Sequence, residues 1–303
     1  YDSIKTPYGS RLHTLGGSAT YSSIAASYFS SVDLVAVVGT DFRDESTFQS
    51  HGIGMKCLTK ASGETFQWAG EYRDNFSETL TIDTKLNVFS NFKPLLGSDE
   101  KNSEYLFLGN IDPELQKDVL NQMNQRPKLV VGDTMNYWIE GKNSGLRGVL
   151  RKVDTLFIDE SEARDLAGEA NLARCARHIM ELGPKTVVVK RGEHGVILFQ
   201  GKSVFAAPAL PLEEVVDPTG AGDSFAGGFL GYLAATRDQS MEGLRQACVL
   251  GSVMGSFAVE SFSLDRVSSL THADIQSRFQ ALAHLTQFAP LQEGESLPWR
   301  DHR

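Results

Sequence analysis

The chain has 303 residues, 41% hydrophobic and 22% charged, a composition ordinary for a globular protein with one large core, or one core and a small appendage. A net charge of −9 argues against nucleic acid or an anionic membrane as partner, since either needs a basic patch. No apolar run approaches the roughly 18 residues of a membrane span, and Cys57, Cys175 and Cys248, far apart and without Cys-x-x-Cys, point to free thiols in a reducing cytosol and to no zinc site.

The chain opens at Tyr1 without Met or a signal-peptide pattern. It reads as starting partway into an element, with a first strand expected before it. Asp2 stands at the very start. Gly16-Gly17 precede Ser18 to Phe29, small and apolar residues that predict a helix. Leu34 to Gly39 is a short continuous apolar run, typical of a strand buried on both faces. Asp44 to His51 can be helix, closed by Gly52. Residues 64 to 89 change character. Phe66, Trp68 and Tyr72 share one face of an alternating run, while Gln67, Glu71 and Arg73 lie near or on the other. Asp74-Asn75 can turn the chain, and Glu78 to Asp83 alternates again through Leu80 and Ile82. A hairpin with one aromatic face is expected, suited to covering a ligand or burying a dimer contact.

From Ser103 strands and helices alternate. Strands are predicted at Tyr105–Leu108, Leu129–Gly132, Leu156–Ile158 and Thr186–Val189. Helices are predicted at Pro113–Met123, Trp138–Leu150, Ser161–Leu166 and Leu172–Leu182. Val196–Phe199 and Val204–Ala206 suggest a hairpin. This rhythm gives a mostly parallel sheet with helices on both faces, and ligands gather at the carboxyl ends of its strands. The polar residues just past those ends are Asn110, Asp112, Asp133, Asn136, Asp159, Glu162, Lys190 and Arg191. Singly, each reads most simply as a loop residue or a cap; together they form a ring around one edge. The seven histidines make no ligand spacing. Helices are expected at Met241–Phe257 and Thr271–Leu285, and Glu293 to Arg303 reads as a loose tail.

The most informative stretch is Asp217 to Leu230. Pro218, Gly220 and Gly222 exclude regular structure, and from Ser224 the spacing of Phe225, Phe229, Leu230 and Leu233 is helical. A glycine loop therefore opens directly into a helix, whose first N–H groups lack internal partners and carry the positive end of the dipole. Glycines there let an anion approach the bare backbone. Asp223 at the helix start can be a plain cap. The glycines before it and Ala226, Gly227 and Gly228 after it favour a ligand site. The loop is neither Gly-x-x-x-x-Gly-Lys-Ser/Thr nor Gly-x-Gly-x-x-Gly, for no Lys follows a glycine correctly and Phe225 stands three after Gly222.

Asp217 to Leu230 resembles, at essentially every position, the second signature of the phosphofructokinase-B family of sugar and nucleoside kinases, whose relatives include ribokinase and adenosine kinase: Asp-Thr/Pro-x-Gly-Ala-Gly-Asp followed by small and apolar residues. The resemblance implies an α/β, ribokinase-like three-layer αβα sandwich. Residues 1–303 would form a single kinase domain, with a small β-sheet lid from about 64–89 and the segment around 8–15 that often pairs between subunits as a homodimer. It implies Asp223 as catalytic base and the N–H groups of Gly220, Ala221 and Gly222 as anion hole. Lys190, Gly192 and Gly195 would contact the nucleotide, with Thr219 beside them. Asp2, Gly16 and Gly17 would bind the acceptor, and polar Asn110 suits the same pocket. Glu162 and Asp159 match the family's Asn-x-x-Glu, which helps hold Mg²⁺ and phosphate, with Asp159 in place of Asn. Ala258 to Phe262 would flank the adenine, and a monovalent-cation site of backbone carbonyls would lie nearby. One departure concerns the acceptor: Tyr21 stands where Gly-Gly-x-x-x-Asn has its Asn.

These readings combine into transfer of the ATP γ-phosphoryl group to a hydroxyl of a sugar or nucleoside, with Mg²⁺ and no nucleic-acid or membrane partner. An inactive sugar- or nucleotide-binding sensor on the same fold is the alternative. The retention of Asp223 beside an intact loop argues against it. A dehydrogenase is disfavoured by the missing dinucleotide pattern.

Overall fold

The computed structural model describes residues 1–73, 76, 79–292 and 294–297. The turn at Asp74-Asn75, Glu78, Glu293 and positions 298–303 of the tail lie outside the described residues.

The chain begins with a hairpin of β1 (Asp2–Thr6) and β2 (Gly9–Thr14), and passes through Gly16-Gly17 into α1 (Ser18–Ser27). A parallel pair follows, β3 (Asp33–Val38) and β4 (Gly54–Lys60), joined through α2 (Glu45–Ser50). Next come β5 (Gln67–Tyr72) and β6 (Thr79–Lys85), antiparallel as the alternation predicts. The small sheet is four-stranded, in the order β2-β1-β5-β6. Its central strand β1 was not expected, because Ile4 is its only aliphatic residue. Burial reveals the pattern instead: Asp2, Ile4 and Thr6 all face inward, and β1 lies parallel to β5 with Asp2 opposite Trp68.

The large sheet is built from β7 (Tyr105–Leu108), β8 (Leu129–Gly132), β9 (Thr155–Asp159), β10 (Thr186–Lys190), β11 (Val196–Gln200) and β12 (Ser203–Ala207). The order is β12-β11-β10-β9-β8-β7; β7 to β10 are parallel, and β11 and β12 antiparallel. The connections are α3 (Pro113–Gln122), α4 (Asn136–Gly141), α5 (Asn143–Leu150), α6 (Glu160–Ala167) and α7 (Leu172–Glu181). After the glycine loop come α8 (Ala221–Thr236), α9 (Met241–Ala258) and α10 (His272–Leu285).

The period of two along the inner strands explains the three layers. Val130, Leu156, Ile158, Val187 and Val189 point into the core shared with α3, α5, α6 and α7. Their alternates Val131, Phe157 and Val188 point into the core shared with α8 and α9. There Phe157 meets Phe229 edge-on at 5.1 Å and Phe225 at 5.5 Å. A strand buried on both faces must be apolar at every position, which is why these runs are continuous. The single helix expected over Trp138–Leu150 is two. Gly141 weakens the helix, and Lys142 leaves helical geometry at φ −134°. Asn143 Nδ2 then donates to the Ile139 carbonyl that the break frees.

Candidate active site

The loop before α8 is built around a buried carboxylate. Asp217 is fully buried; its Oδ1 accepts the Thr219 N–H at 2.9 Å, while the Val259 carbonyl accepts the N–H groups of Val216 and Asp217. The segment Ala258 to Phe262, expected beside adenine, thus braces this loop. Gly220 follows at φ 77°, a left-handed conformation that favours glycine. A Cβ there would stand 2.4 Å from the ring of Tyr21. Tyr21, the departure from the Gly-Gly-x-x-x-Asn pattern, is therefore no wall of the acceptor pocket. It is buried, and its ring is the surface on which Gly220 rests.

Ser224 N–H donates to the Gly220 carbonyl and opens α8. The expected trio of free amides is reduced to two in the loop, because Ala221 N–H is 3.2 Å from the Pro218 carbonyl and closes the turn. Among the described residues, the N–H groups of Gly220 and Gly222 have no acceptor in the chain.

Asp223 sits in the first turn of α8, partly buried, and Ser18 Oγ donates to its Oδ1. Burial raises the Asp223 pKa; the Ser18 hydrogen bond and Lys190 pull it back. Lys190 ends β10, with Nζ 3.3 Å from both Asp133 oxygens and 3.8 Å from Asp159. Burial works against its charge, but Asp133, Asp159, Glu162 and Asp223 together hold it protonated, above the ordinary lysine range. A Cβ on Gly222 would stand 3.1 Å from that ammonium, so a fixed cation lies against the mouth of α8.

Glu162 is buried, and its Oε2 accepts the Asp159 N–H at 2.9 Å. The acidic first turn of α6 thus caps its own helix, as the simpler reading held. Burial and the neighbouring Asp159 push the Glu162 pKa up to about 7. Among the described residues no group of three His, Cys, Asp or Glu is placed to hold a metal unaided. Asp159 and Glu162 nevertheless offer hard oxygen donors whose crowding a divalent cation would relieve, provided phosphate and water complete its shell.

One polar cavity of about 430 Å³ gathers Asp223, Gly222, Lys190, Asp159, Glu162 and Asn110. Asn110 Oδ1 accepts from Trp138 Nε1 at 2.8 Å, which leaves its NH₂ as the free end. Ser18, Tyr72, Asp133 and Thr134 line the same space and had not been assigned a role. Asp133 carried a signal, its place past the end of β8. Ser18 and Tyr72 carried none, for one is an ordinary helix start and the other was read only as part of an aromatic face. Tyr72 reaches across from β5, and its hydroxyl lies 3.1 Å from Thr219 Oγ1.

The remaining expected residues lie beside this cavity. Asp2 is buried under the glycine turn, where a Cβ on Gly16 would fall 1.9 Å from its Oδ2. Burial lifts its carboxyl to about 6 against the opposing pull of the Tyr1 ammonium and the Gly17 N–H. Gly17 has φ 90° and leads into Ser18. Gly192 and Gly195 shape the turn after β10, at φ 53° and 84°. A Cβ on Gly195 would meet the Ala207 carbonyl at 2.1 Å. Asp112 caps α3 and pairs with Lys142, so it belongs to the scaffold.

Layered sheet, strand-end cleft and anion-ready helix mouth define the class as an α/β enzyme that handles phosphate. The model of the pfkB family carbohydrate kinases matches residues 8–269, and the chain belongs to that family. It is 31% identical over 238 residues to a cytidine kinase of Thermococcus kodakarensis, covering 76% of this chain and 84% of the relative. It is 28% identical over 264 residues to an inositol 3-kinase of Arabidopsis thaliana, covering 82% and 68%. Among solved structures it is similar to the Methanocaldococcus jannaschii nucleoside kinase, with TM-score 0.73, 18% identity and coverage of 92% and 95%. A ribokinase II from E. coli in complex with ATP and Mg²⁺ has TM-score 0.76 at 17% identity, with coverage of 92% and 96%. The protein is a phosphotransferase with an alcohol acceptor, a sugar or nucleoside kinase.

The seating of Gly220 on Tyr21 yields a test. Gly220→Ala adds a strained left-handed residue, about 1–2 kcal/mol, and a collision with the ring. Gly201→Ala, at φ 57° with open space around it, adds the strain alone. Urea denaturation should place Gly220→Ala clearly below Gly201→Ala in stability; equal losses would mean the ring gives way freely.

Proposed function

We propose that the protein transfers the γ-phosphoryl group of ATP to a hydroxyl of a sugar or nucleoside, with Asp223 as general base. The observation that carries this is the convergence of Asp223, the unpaired Gly222 N–H and the Lys190 ammonium on one cavity. A hydroxyl placed beside Asp223 gives up its proton to the carboxylate as its oxygen bonds to the γ-phosphorus. The bond from that phosphorus to the β,γ-bridging oxygen breaks, and ADP carries the electron pair away. The Gly220 and Gly222 amides and Lys190 meet the charge moving onto the phosphate oxygens. Mg²⁺ held at Glu162 and Asp159 would neutralise phosphate charge in a protein whose net charge is −9. Asp2 and the Asn110 NH₂ are placed to fix the acceptor, and Thr219 and the turn through Gly192 and Gly195 to border the nucleotide. The likeness to the cytidine kinase over most of both chains weighs toward a nucleoside acceptor.

We read residues 1–303 as one kinase domain with the small sheet as its lid. Leu12, Leu80 and Ile82 are 80%, 49% and 59% exposed on its edge strands β2 and β6, which supports a homodimer through the lid. The three cysteines are free and buried, in keeping with a reducing cytosol.

ADP release should appear with Mg-ATP and a member of a sugar and nucleoside panel. Asp223→Asn should lower kcat by about 10²–10⁴ with an unchanged melting curve. Undiminished turnover would remove Asp223 from this role, and a wild type that binds an acceptor without consuming ATP would favour the sensor. The pH dependence gives a second check. Asp223 acts when ionised, so activity falls as pH drops through its raised pKa. Ser18→Ala removes a bond that favours the ionised form and should move the acid limb of kcat/KM to higher pH; an unmoved limb would assign the limb to another group. Sedimentation should find a dimer that Leu80→Glu weakens, and a monomer in both would leave the lid face unpaired.

A further inference from the structure

The two parallel sheets of the sandwich stop short of each other. Among the described residues β3 pairs with β4 alone and β7 with β8 alone, so each presents an open edge. A cavity of about 690 Å³ lies between those edges and is lined by every residue of both strands. Its two faces are already covered, by Ala26 and Leu230 of α1 and α8 on one side and by Val119 and Met123 from the α3 side on the other. The space is therefore in the middle layer, apolar above and below, with two rows of strand N–H and C=O groups facing into it. Buried backbone groups need partners, and a compact ligand cannot pair two strands along their length.

We infer that this slot is the seat of a β-strand formed by the residues directly preceding Tyr1, parallel to both neighbours. It would join the sheets in the order β4-β3-strand-β7-β8. Three observations choose this occupant. Tyr1 lines the slot together with Gly16, Gly17 and Asn110, at the end where β7 gives out. Its ring also lies 5.9 Å from that of Phe42, just past the end of β3. A segment arriving at Tyr1 thus travels in the direction of β3 and β7. Finally, the Tyr1 nitrogen donates to the Phe66 carbonyl at 2.7 Å from a buried position that disfavours an ammonium. A peptide N–H makes the same bond without burying a charge. The segment should span about five or six residues, the usual strand length, and be apolar, β-branched and free of proline. Its end delivers Asp2 to the glycine turn, so it also positions the acceptor pocket.

Hydrogen–deuterium exchange on the natural full-length protein tests this, with the 303-residue chain alongside. Peptides over 33–38, 105–108 and the segment before Tyr1 should all be slow in the full-length protein. The edge amides of β3 and β7 should exchange ~10²-fold faster or more in the 303-residue chain. A proline at the third residue before Tyr1 should speed exchange in β3 and β7 together, a readout that stands even where the shorter chain fails to fold. A natural chain that begins at Tyr1, a preceding segment that exchanges fast, or a proline that leaves both strands slow would overturn the inference. So would β3 and β7 edges protected in the 303-residue chain only where it dimerises, since a second copy would then be the occupant.

Discussion

The first turn of α8 leaves backbone N–H groups unpaired, and the surrounding structure keeps them so. Gly220 reaches its left-handed turn only because it lacks a Cβ and the Tyr21 ring lies against it. Asp217, fully buried, holds the approach to that turn through Thr219 and Val259. Lys190 then adds a full positive charge beside the helix dipole, and four carboxylates keep it ionised despite burial. Such a cluster costs desolvation energy that apolar packing would avoid. Its advantage is preorganisation: donors and charge already stand where a phosphate would need them.

The layered core explains why these groups can be held so firmly. Inner strands with apolar residues on both faces leave polar chemistry only at their ends. Asn110, Asp133, Asp159 and Lys190 follow or close β7, β8, β9 and β10 in turn. Because the four strands are parallel and adjacent, their carboxyl ends form one row. The small sheet closes the row from the other side. It contributes Tyr72 over the glycine loop and carries Asp2 to the turn before α1. A cleft bounded by a rigid sheet edge and a thin second sheet favours exclusion of water while leaving a way in.

Much of this was legible in the linear chain. The alternation of strands and helices, the glycine loop, the helix after it and the ring of strand-end polar residues are all local patterns. Each follows from side-chain period or from the few residues able to adopt an unusual backbone. The small sheet was legible in its hairpin and not in β1, whose residues become a strand through pairing with β5. The break at Lys142 was hidden for a similar reason, since the apolar period continues across it and only the fold decides where α4 stops.

What the linear chain determined by itself, then, is the architecture of the middle layer and the anion-ready mouth of α8, because hydrophobic period, proline and glycine act within a few residues of themselves. What only the tertiary structure decided is the company those residues keep. Ser18 lies 205 residues from Asp223, Tyr72 lies 147 from Thr219, and Lys190 lies 57 from Asp133. No local rule predicts such meetings. They arise when parallel strands bring their ends into one row and a second sheet folds over it, and they settle which carboxylate is restrained, which amide stays free and where Tyr21 is buried.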